Sequence, residues 1–362
     1  MTRNIINYYA CGNTAKGFFN LFDNNLLGLR KVFILKGGPG TGKSTLIKRI
    51  GDLWAKTESN IEYIHCPSDN GSLDGIINTN RKIAIVDGTS PHVIEPTAPG
   101  AIDEYVNLGV SWDSSKLELA KAKIIDLNCR ISDCYKNAYA YYGKALAIHD
   151  EWEKIYIDNM NFNKADKLSE KVIELLIKDR KIYQNPIVKH RFLGAATPKG
   201  PVDFIENLTS EISKRYFLKG RPGSGKSTLL KKLANKAISD GFNVEIYHCG
   251  FDPDSLDMII LRELDVCIFD STSPHEYFPS RDDDEIIDMY KELIVPGTDE
   301  KYKEKLDNIK LRYKSNIGLG NSYLKTSKGI HDELEKYYIN AIDFSKIDEI
   351  REELIYKLSK YE

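Results

Sequence analysis

The sequence predicts an α/β protein made of two similar units in tandem, each with a parallel sheet and a long helical hairpin. Three observations predict it. The chain repeats itself at nearly constant spacing along its whole length. Short apolar runs alternate with helical patterns in the first part of each unit. A sustained three-four apolar spacing closes each unit.

The size agrees. A chain of 362 residues is long for one domain and comfortable for two. Apolar residues at 41% and charged residues at 29% are ordinary for a folded globular protein. Lys+Arg 51 against Asp+Glu 53 leaves a formal charge of -2, so no global pull toward nucleic acid or an anionic membrane is expected. No run approaches the ~20 apolar residues that span a bilayer. The opening "MTRNIINYYACGN" has no signal-peptide core, and six cysteines suit a reducing compartment. The expectation is a cytoplasmic protein.

The repeat has an offset of 183 residues. "NTAKGFFNLFDN" (13–24) lies over "ATPKGPVDFIEN" (196–207), "YIHCPSDNGSLDG" (63–75) over "IYHCGFDPDSLDM" (246–258), and "IAIVDGTSPH" (83–92) over "VCIFDSTSPH" (266–275). Near the ends, "IHDEWEKIYIDNMNFNKAD" (148–166) lies over "IHDELEKYYINAIDFSKID" (330–348) at an offset of 182. Few net insertions separate the copies. The expected units are 1–187, with a helical hairpin over about 113–185, and 188–362, with one over about 298–360.

Within each unit the elements follow in order. A short run, "INYYA" or "RFLGA", precedes an amphipathic helix expected over 17–27 and 200–210. An apolar strand comes next, "KVFILKG" or "RYFLKG", then a glycine-rich loop, then a helix, "KSTLIKRIGDLWAK" or "KSTLLKKLANKAIS". A second strand ends in His-Cys, and a third is "IAIVDG" or "VCIFDS". Strands alternating with helices predict a parallel sheet covered on both faces. In the first unit, apolar or small residues then recur at 117, 120, 124, 127, 131, 134, 138, 141, 145, 148, 152 and 155. This is the seam of a long helix packed on another, and a second helix over 164–184 is expected to fold back on it.

The loops read "GGPGTGKS" (37–44) and "GRPGSGKS" (220–227). G-x-x-x-x-G-K-[ST] between a strand and a helix is the phosphate-binding P-loop. Glycines let backbone N–H groups converge on a phosphate, and the following helix turns its positive end toward the same anion. The expected nucleotide contacts are Gly37, Gly38, Pro39, Gly40, Thr41, Gly42, Lys43, Ser44 and Thr45 in one copy. In the other they are Gly220, Arg221, Pro222, Gly223, Ser224, Gly225, Lys226, Ser227 and Thr228. Lys43 and Lys226 would reach the β- and γ-phosphates, and Ser44 and Ser227 would ligate Mg²⁺. Asp87 and Asp270 end apolar strands, where a carboxylate is costly unless it holds something, and they would hold the same ion.

Many P-loop ATPases carry Glu directly after this aspartate. Here Gly88 and Ser271 stand in that place. Asp69 or Asp74, with mates Asp252 and Asp257, could polarise a water instead. Alternatively Ser72 caps a following helix with Asp74 in its first turn. Thr89 and Ser90, with Thr272 and Ser273, could sense the γ-phosphate, and His92 and His275 could act as acid, base or phosphate donor. His65, Cys66 and His92 match no structural zinc spacing. "NKAD" (163–166) spells a guanine-reading motif but opens a helix, with Asn163 as its cap, and its mate is "SKID". ATP is therefore expected rather than GTP.

The two loops, the doubled "HC…SLD" stretch, the doubled "TSPH" and the leading "GNTAKGF" together resemble a bacterial family of tandem P-loop ATPases. The resemblance covers essentially the whole chain. It implies ATP binding and ATP hydrolysis at residues 37–45 and 220–228. The expected function is a Mg²⁺-dependent ATPase with two pseudo-symmetric sites acting on a protein or small-molecule partner that the sequence does not name. The alternatives are a small-molecule or nucleotide kinase and a non-catalytic, nucleotide-gated scaffold. No arginine finger is evident, so Lys16 and Lys199 are candidates to reach a nucleotide, within their own half or across the interface.

Overall fold

The computed structural model describes residues 5–182 and 184–361. The first half opens with β1 (Ile5–Tyr8) and a hairpin, β2 (Cys11–Thr14) and β3 (Gly17–Asn20), then α1 (Phe22–Leu26), β4 (Lys31–Lys36) and α2 (Lys43–Thr57). It continues through β5 (Ile61–His65), β6 (Leu73–Asn78), β7 (Ile83–Asp87) and β8 (Asp103–Asn107). Three helices close it: α3 (Ser114–Leu119), α4 (Lys121–Ile157) and α5 (Phe162–Ile177).

The second half repeats this order. It runs β9 (Val188–Phe192), β10 (Gly194–Thr197), β11 (Gly200–Asp203), α6 (Ile205–Leu208), β12 (Lys214–Lys219), α7 (Lys226–Ser239), β13 (Val244–His248), β14 (Leu256–Leu261), β15 (Val266–Asp270) and β16 (Glu285–Asp288). The helices α8 (Met289–Leu293), α9 (Thr298–Lys301), α10 (Lys303–Ile339) and α11 (Phe344–Ser359) follow.

Each half builds a six-stranded sheet, in the orders β1-β5-β6-β7-β4-β8 and β9-β13-β14-β15-β12-β16. β4 and β7 pair in parallel, as do β12 and β15, and the runs "VFIL" and "IAIV" are buried on both faces. The sheets are mixed, not parallel throughout. β6 runs antiparallel between β5 and β7, and β14 does the same in the second half. Ser72 therefore caps no helix; Leu73 begins a strand. The helix expected over 17–27 is also corrected. Residues 17–20 return as a hairpin strand held by the Thr14 hydroxyl donating to the Gly17 carbonyl at 2.8 Å, and only the single turn of α1 remains.

The halves meet about a pseudo-two-fold axis. Tyr9 and Phe192, equivalent in the repeat, exchange both backbone hydrogen bonds, at 3.0 and 2.9 Å. One buried cluster draws from both sheets, with Tyr8, Phe22, Val32 and Val86 from one half and Leu208, Phe217, Tyr247 and Phe269 from the other. Burying large aromatic and aliphatic side chains stabilises by about 1.5–3 kcal/mol each, so this shared core fixes the two halves as one body.

The helices do not form a hairpin within each half. α4 packs along α10 of the other half, and Lys123 facing Glu333 with Glu151 facing Arg312 shows that the pair is antiparallel. The seam positions Leu127, Cys134, Ala138, Ala145, Ile148 and Ile155 are buried as the spacing predicts, with Tyr142 in place of Tyr141. The helix expected to fold back on α4 is instead α5, which crosses to the second half. There Val172, Leu176 and Ile177 pack on Leu229, Leu230 and Leu233 of α7. α11 makes the reciprocal crossing, placing Leu354 and Leu358 with Leu46, Ile47 and Ile50 of α2. The seam specifies an apolar face but not which apolar face meets it. A 37-residue helix is about 55 Å long and carries its C-terminal end clear of its own sheet. α5 is capped by Asn161, whose side chain accepts from the Lys164 amide at 3.0 Å, so Asn163 is not its cap. Among the described residues no helix is long and apolar enough to cross a membrane.

Candidate functional site

Both glycine-rich loops join the end of a buried central strand to the start of a helix. α2 begins at Lys43 and α7 at Lys226. Gly42 and Gly225 precede them with φ +82° and +89°, a left-handed turn that favours glycine. Lys43 Nζ donates to the Gly37 and Gly38 carbonyls, each at 2.9 Å, and lies 3.6 Å from Asp87. Lys226 Nζ donates to the Arg221 carbonyl at 3.0 Å and lies 3.5 Å from Asp270. Asp87 and Asp270 end β7 and β15, and each accepts from the hydroxyl two residues on, Thr89 or Thr272, at 2.6 Å. Those threonines thus orient the aspartates. Ser44 and Ser227 accept from the amides of Leu73 and Leu256 at 2.9 Å, tying each loop helix to the antiparallel strand.

Because β6 and β14 run backwards, their first residues stand beside the last residues of β7 and β15. This buries Asp74 (4% exposed) and Asp257 (7%) next to Asp87 and Asp270. Each has one carboxylate oxygen with no hydrogen-bond partner among the described residues. Burial and then the Asp270 charge push the Asp257 carboxyl up to about 6. Cys66 and Cys249 face these aspartates; burial and the adjacent carboxylate hold both thiols well above their ordinary value, so they stay protonated. His92 Nε2 lies 3.4 Å from Asp74, and although burial opposes its charge, that carboxylate outweighs it and raises the imidazole to about 9. Its equivalent, His275, pairs instead with Asp203 at 2.7 Å.

Other expected residues lie elsewhere. His65 turns to the interface between halves, 2.9 Å from Asn7 Oδ1 and against the Phe204 ring. Burial lowers it to about 4. Asp69 accepts from the Gly71 amide at 3.0 Å and the Ser72 hydroxyl at 2.8 Å, and Lys328 of α10 approaches to 3.6 Å. Asp252 accepts from Ser255 at 2.9 Å and pairs at 3.1 Å with Lys16, which reaches across from the first half and also pairs with Asp254.

Sequence reasoning did not place the long helices here. The C-terminal part of α10 lies on the first loop: a Cβ at Gly40 would stand 3.2 Å from the Glu335 carbonyl oxygen, and one at Gly38 would stand 3.1 Å from the Tyr338 ring. The C-terminal part of α4 lies on the second loop, where a Cβ at Gly223 would stand 2.5 Å from the Glu153 carbonyl oxygen. Each end carries His-Asp-x-x-Glu: His331, Asp332 and Glu335, or His149, Asp150 and Glu153. Their side-chain polar atoms gather within 4.8 Å of one another. The repeat "IHDE" in both copies was the available signal.

Each loop thus gathers a lysine and a serine hydroxyl at a helix start beside two carboxylates, and one oxygen of Asp74 or Asp257 has no hydrogen-bond partner among the described residues. No protein-family model, curated protein or solved structure matches the chain, and the reading of the site rests on this geometry.

Proposed function

We propose that the chain binds ATP with Mg²⁺ at two pseudo-symmetric P-loops and hydrolyses it. The observation that carries this reading is the repeated juxtaposition of Lys43, Ser44, Asp87 and the unpartnered Asp74 oxygen, matched by Lys226, Ser227, Asp270 and Asp257. Such buried carboxylates beside one lysine are tolerated where a cation completes them. Ser44 and Asp87, or Ser227 and Asp270, would hold Mg²⁺, which supplies charge neutralisation on the phosphates. The lysine and loop amides hold the β- and γ-phosphates. The absence of the N-K-x-D context at a strand end supports adenine over guanine.

Calorimetry with a non-hydrolysable ATP analogue and Mg²⁺, beside phosphate release from ATP alone, tests this. Two bound nucleotides and steady release support it. Release only on adding an acceptor makes the chain a kinase, binding without release makes it a scaffold, and no binding removes the reading.

A further inference from the structure

The helix exchange brings a specific group to a specific gap. Gly88 and Ser271 leave no carboxylate after Asp87 and Asp270, and the Ser271 hydroxyl is taken by the Tyr277 carbonyl at 2.7 Å. Asp69 is a poor base in this setting. Burial favours its proton, but the Gly71 amide, the Ser72 hydroxyl and Lys328 outweigh that and hold it below its ordinary value. What lies on each loop instead is the C-terminal part of a long helix from the opposite half, and one turn before its contact with the loop that helix carries a histidine.

We propose that His149 serves the nucleotide site of the 220–227 loop and His331 that of the 37–44 loop, each as the general base for water attack, with Glu153 and Glu335 as positioning residues. This rests on the nucleotide reading above. His149 Nδ1 lies 3.7 Å from Glu153 Oε1, and His331 Nδ1 lies 3.8 Å from Glu335 Oε1. The placement is enforced at the backbone, because the loop glycines at 40 and 223 admit the helices closely and have φ +70° and +74°. Within the second loop the Ser224 hydroxyl, 1% exposed and turned toward Gly220, has no partner among the described residues.

The groups facing each ring agree with a base. Around His149 stand Glu153 and Asp150 of its own helix, Lys226 of the loop helix and Asp252 of the opposite half, with the Phe251 and Tyr313 rings against it. Around His331 stand Glu335, Asp332 and Lys328 of its own helix and Asp69. Burial is the largest influence on both rings and lowers both, so each is neutral near pH 7 and able to take a proton. In the step, the water oxygen bonds to the γ-phosphorus while the imidazole takes one water proton. The bond from that phosphorus to the β,γ-bridging oxygen breaks, and its electron pair leaves with ADP. Inorganic phosphate forms, and the imidazolium returns its proton to solvent.

Each site is tested alone. In a Lys43→Ala chain only the second loop holds nucleotide, and there His149→Gln should lower phosphate release about 100-fold or more while affinity for the ATP analogue changes less than about threefold. In a Lys226→Ala chain His331→Gln should do the same at the first loop. Retained turnover in either, or loss of affinity in step with turnover, overturns the proposal. Glu153→Gln removes a charge that favours the imidazolium, so the acid limb of phosphate release should move to lower pH; an unmoved limb overturns the positioning role. NMR of the His149 imidazole in the unmutated chain gives a readout that needs no turnover. Filling the loop with the ATP analogue adds anionic charge and should raise the pH at which the ring titrates, and an unchanged titration overturns the placement. Retained turnover in the histidine variants overturns this proposal alone; a wild-type chain that binds ATP but releases no phosphate overturns the hydrolysis reading with it, and one that binds none removes the nucleotide reading as well.

Discussion

Arg191 and Tyr8 are equivalent residues of the two halves, and they touch: the guanidinium carbon lies 4.0 Å from the Tyr8 ring centroid. Glu62 and Glu245 are likewise equivalent, and both face Arg191, at 2.5 and 3.5 Å. Arg191 is fully buried and also donates to Asn25 at 2.8 Å. Strict symmetry here would set two arginines against each other, or leave two buried glutamates facing two tyrosines. Arg191 between the two glutamates, beside the Tyr8 ring, resolves this, with Lys189 pairing with Glu62 at 3.1 Å and Arg262 with Glu245 at 2.5 Å.

Arg191→Met should therefore destabilise the chain by about 3–5 kcal/mol, since it removes the fully buried charge that Glu62 and Glu245 share. Urea unfolding of the variant measures this, and a loss below about 1 kcal/mol would show that the cluster is hydrated.

Acid should attack the same place. Burial favours the protonated Glu62, but the Arg191 and Lys189 charges outweigh it and hold the carboxyl down at about 2, against an ordinary 4.5. A depressed carboxyl contributes stability that is fully present above the unfolded-state value and is lost as pH falls through the folded one. The urea midpoint should drop between about pH 4.5 and pH 2, and Glu62→Gln should flatten that part of the profile. An equal acid slope in the variant refutes the assignment.

Lys43→Ala and Lys226→Ala should each reduce nucleotide stoichiometry from two to one per chain, because each lysine side chain is about nine-tenths buried where charge-assisted bonds to phosphate are strong. Calorimetry gives the count directly. One nucleotide on the wild-type chain would mark one loop as structural.

Asp87→Asn and Asp270→Asn should lower Mg²⁺-dependent phosphate release by about tenfold or more with little loss of nucleotide affinity, since the aspartate would act through the cation while loop amides hold phosphate without it. Parallel titrations with and without Mg²⁺ separate the two effects. Equal losses in binding and turnover would assign these aspartates to the fold.

Two loop glycines should differ. At Gly42 an added Cβ meets nothing within 4 Å, so Gly42→Ala costs only the left-handed backbone, about 1–2 kcal/mol. At Gly223 the same Cβ meets three backbone atoms of Glu153, from 2.5 to 3.0 Å, so Gly223→Ala should cost about 3 kcal/mol or more. Matching urea midpoints for the two variants would mean that α4 does not press on the loop.

Much of the site was legible in the sequence because its parts are contiguous. A continuous apolar run, a glycine-rich loop and a helix start stand together at 31–57, so Lys43 and Ser44 follow from spacing alone. Asp87 followed from its place at the end of "IAIV". β6 did not. Its opening "SLD" imitates a helix cap and first turn, and only pairing on both sides makes it a strand. His149 and His331 were hidden for another reason. A polar residue on a helical repeat reads as a solvated position, and their approach to the loops depends on which half each long helix joins. Leu176 is compatible with packing on α4 or on α7, and its sequence says nothing of the choice.

The crossing of α5 and α11 also has a bearing on ancestry and cooperativity. A lone copy of the unit would carry a closing helix that belongs on a neighbour, so it could bury its apolar surface only as one subunit of a two-fold pair. Joining two copies end to end converts an association that dilution would break into one governed by tether length. The same interlock forbids independent melting: unfolding either half removes the helix that covers the other, so a single transition should carry both, and damage to one loop's scaffold is inherited by its twin.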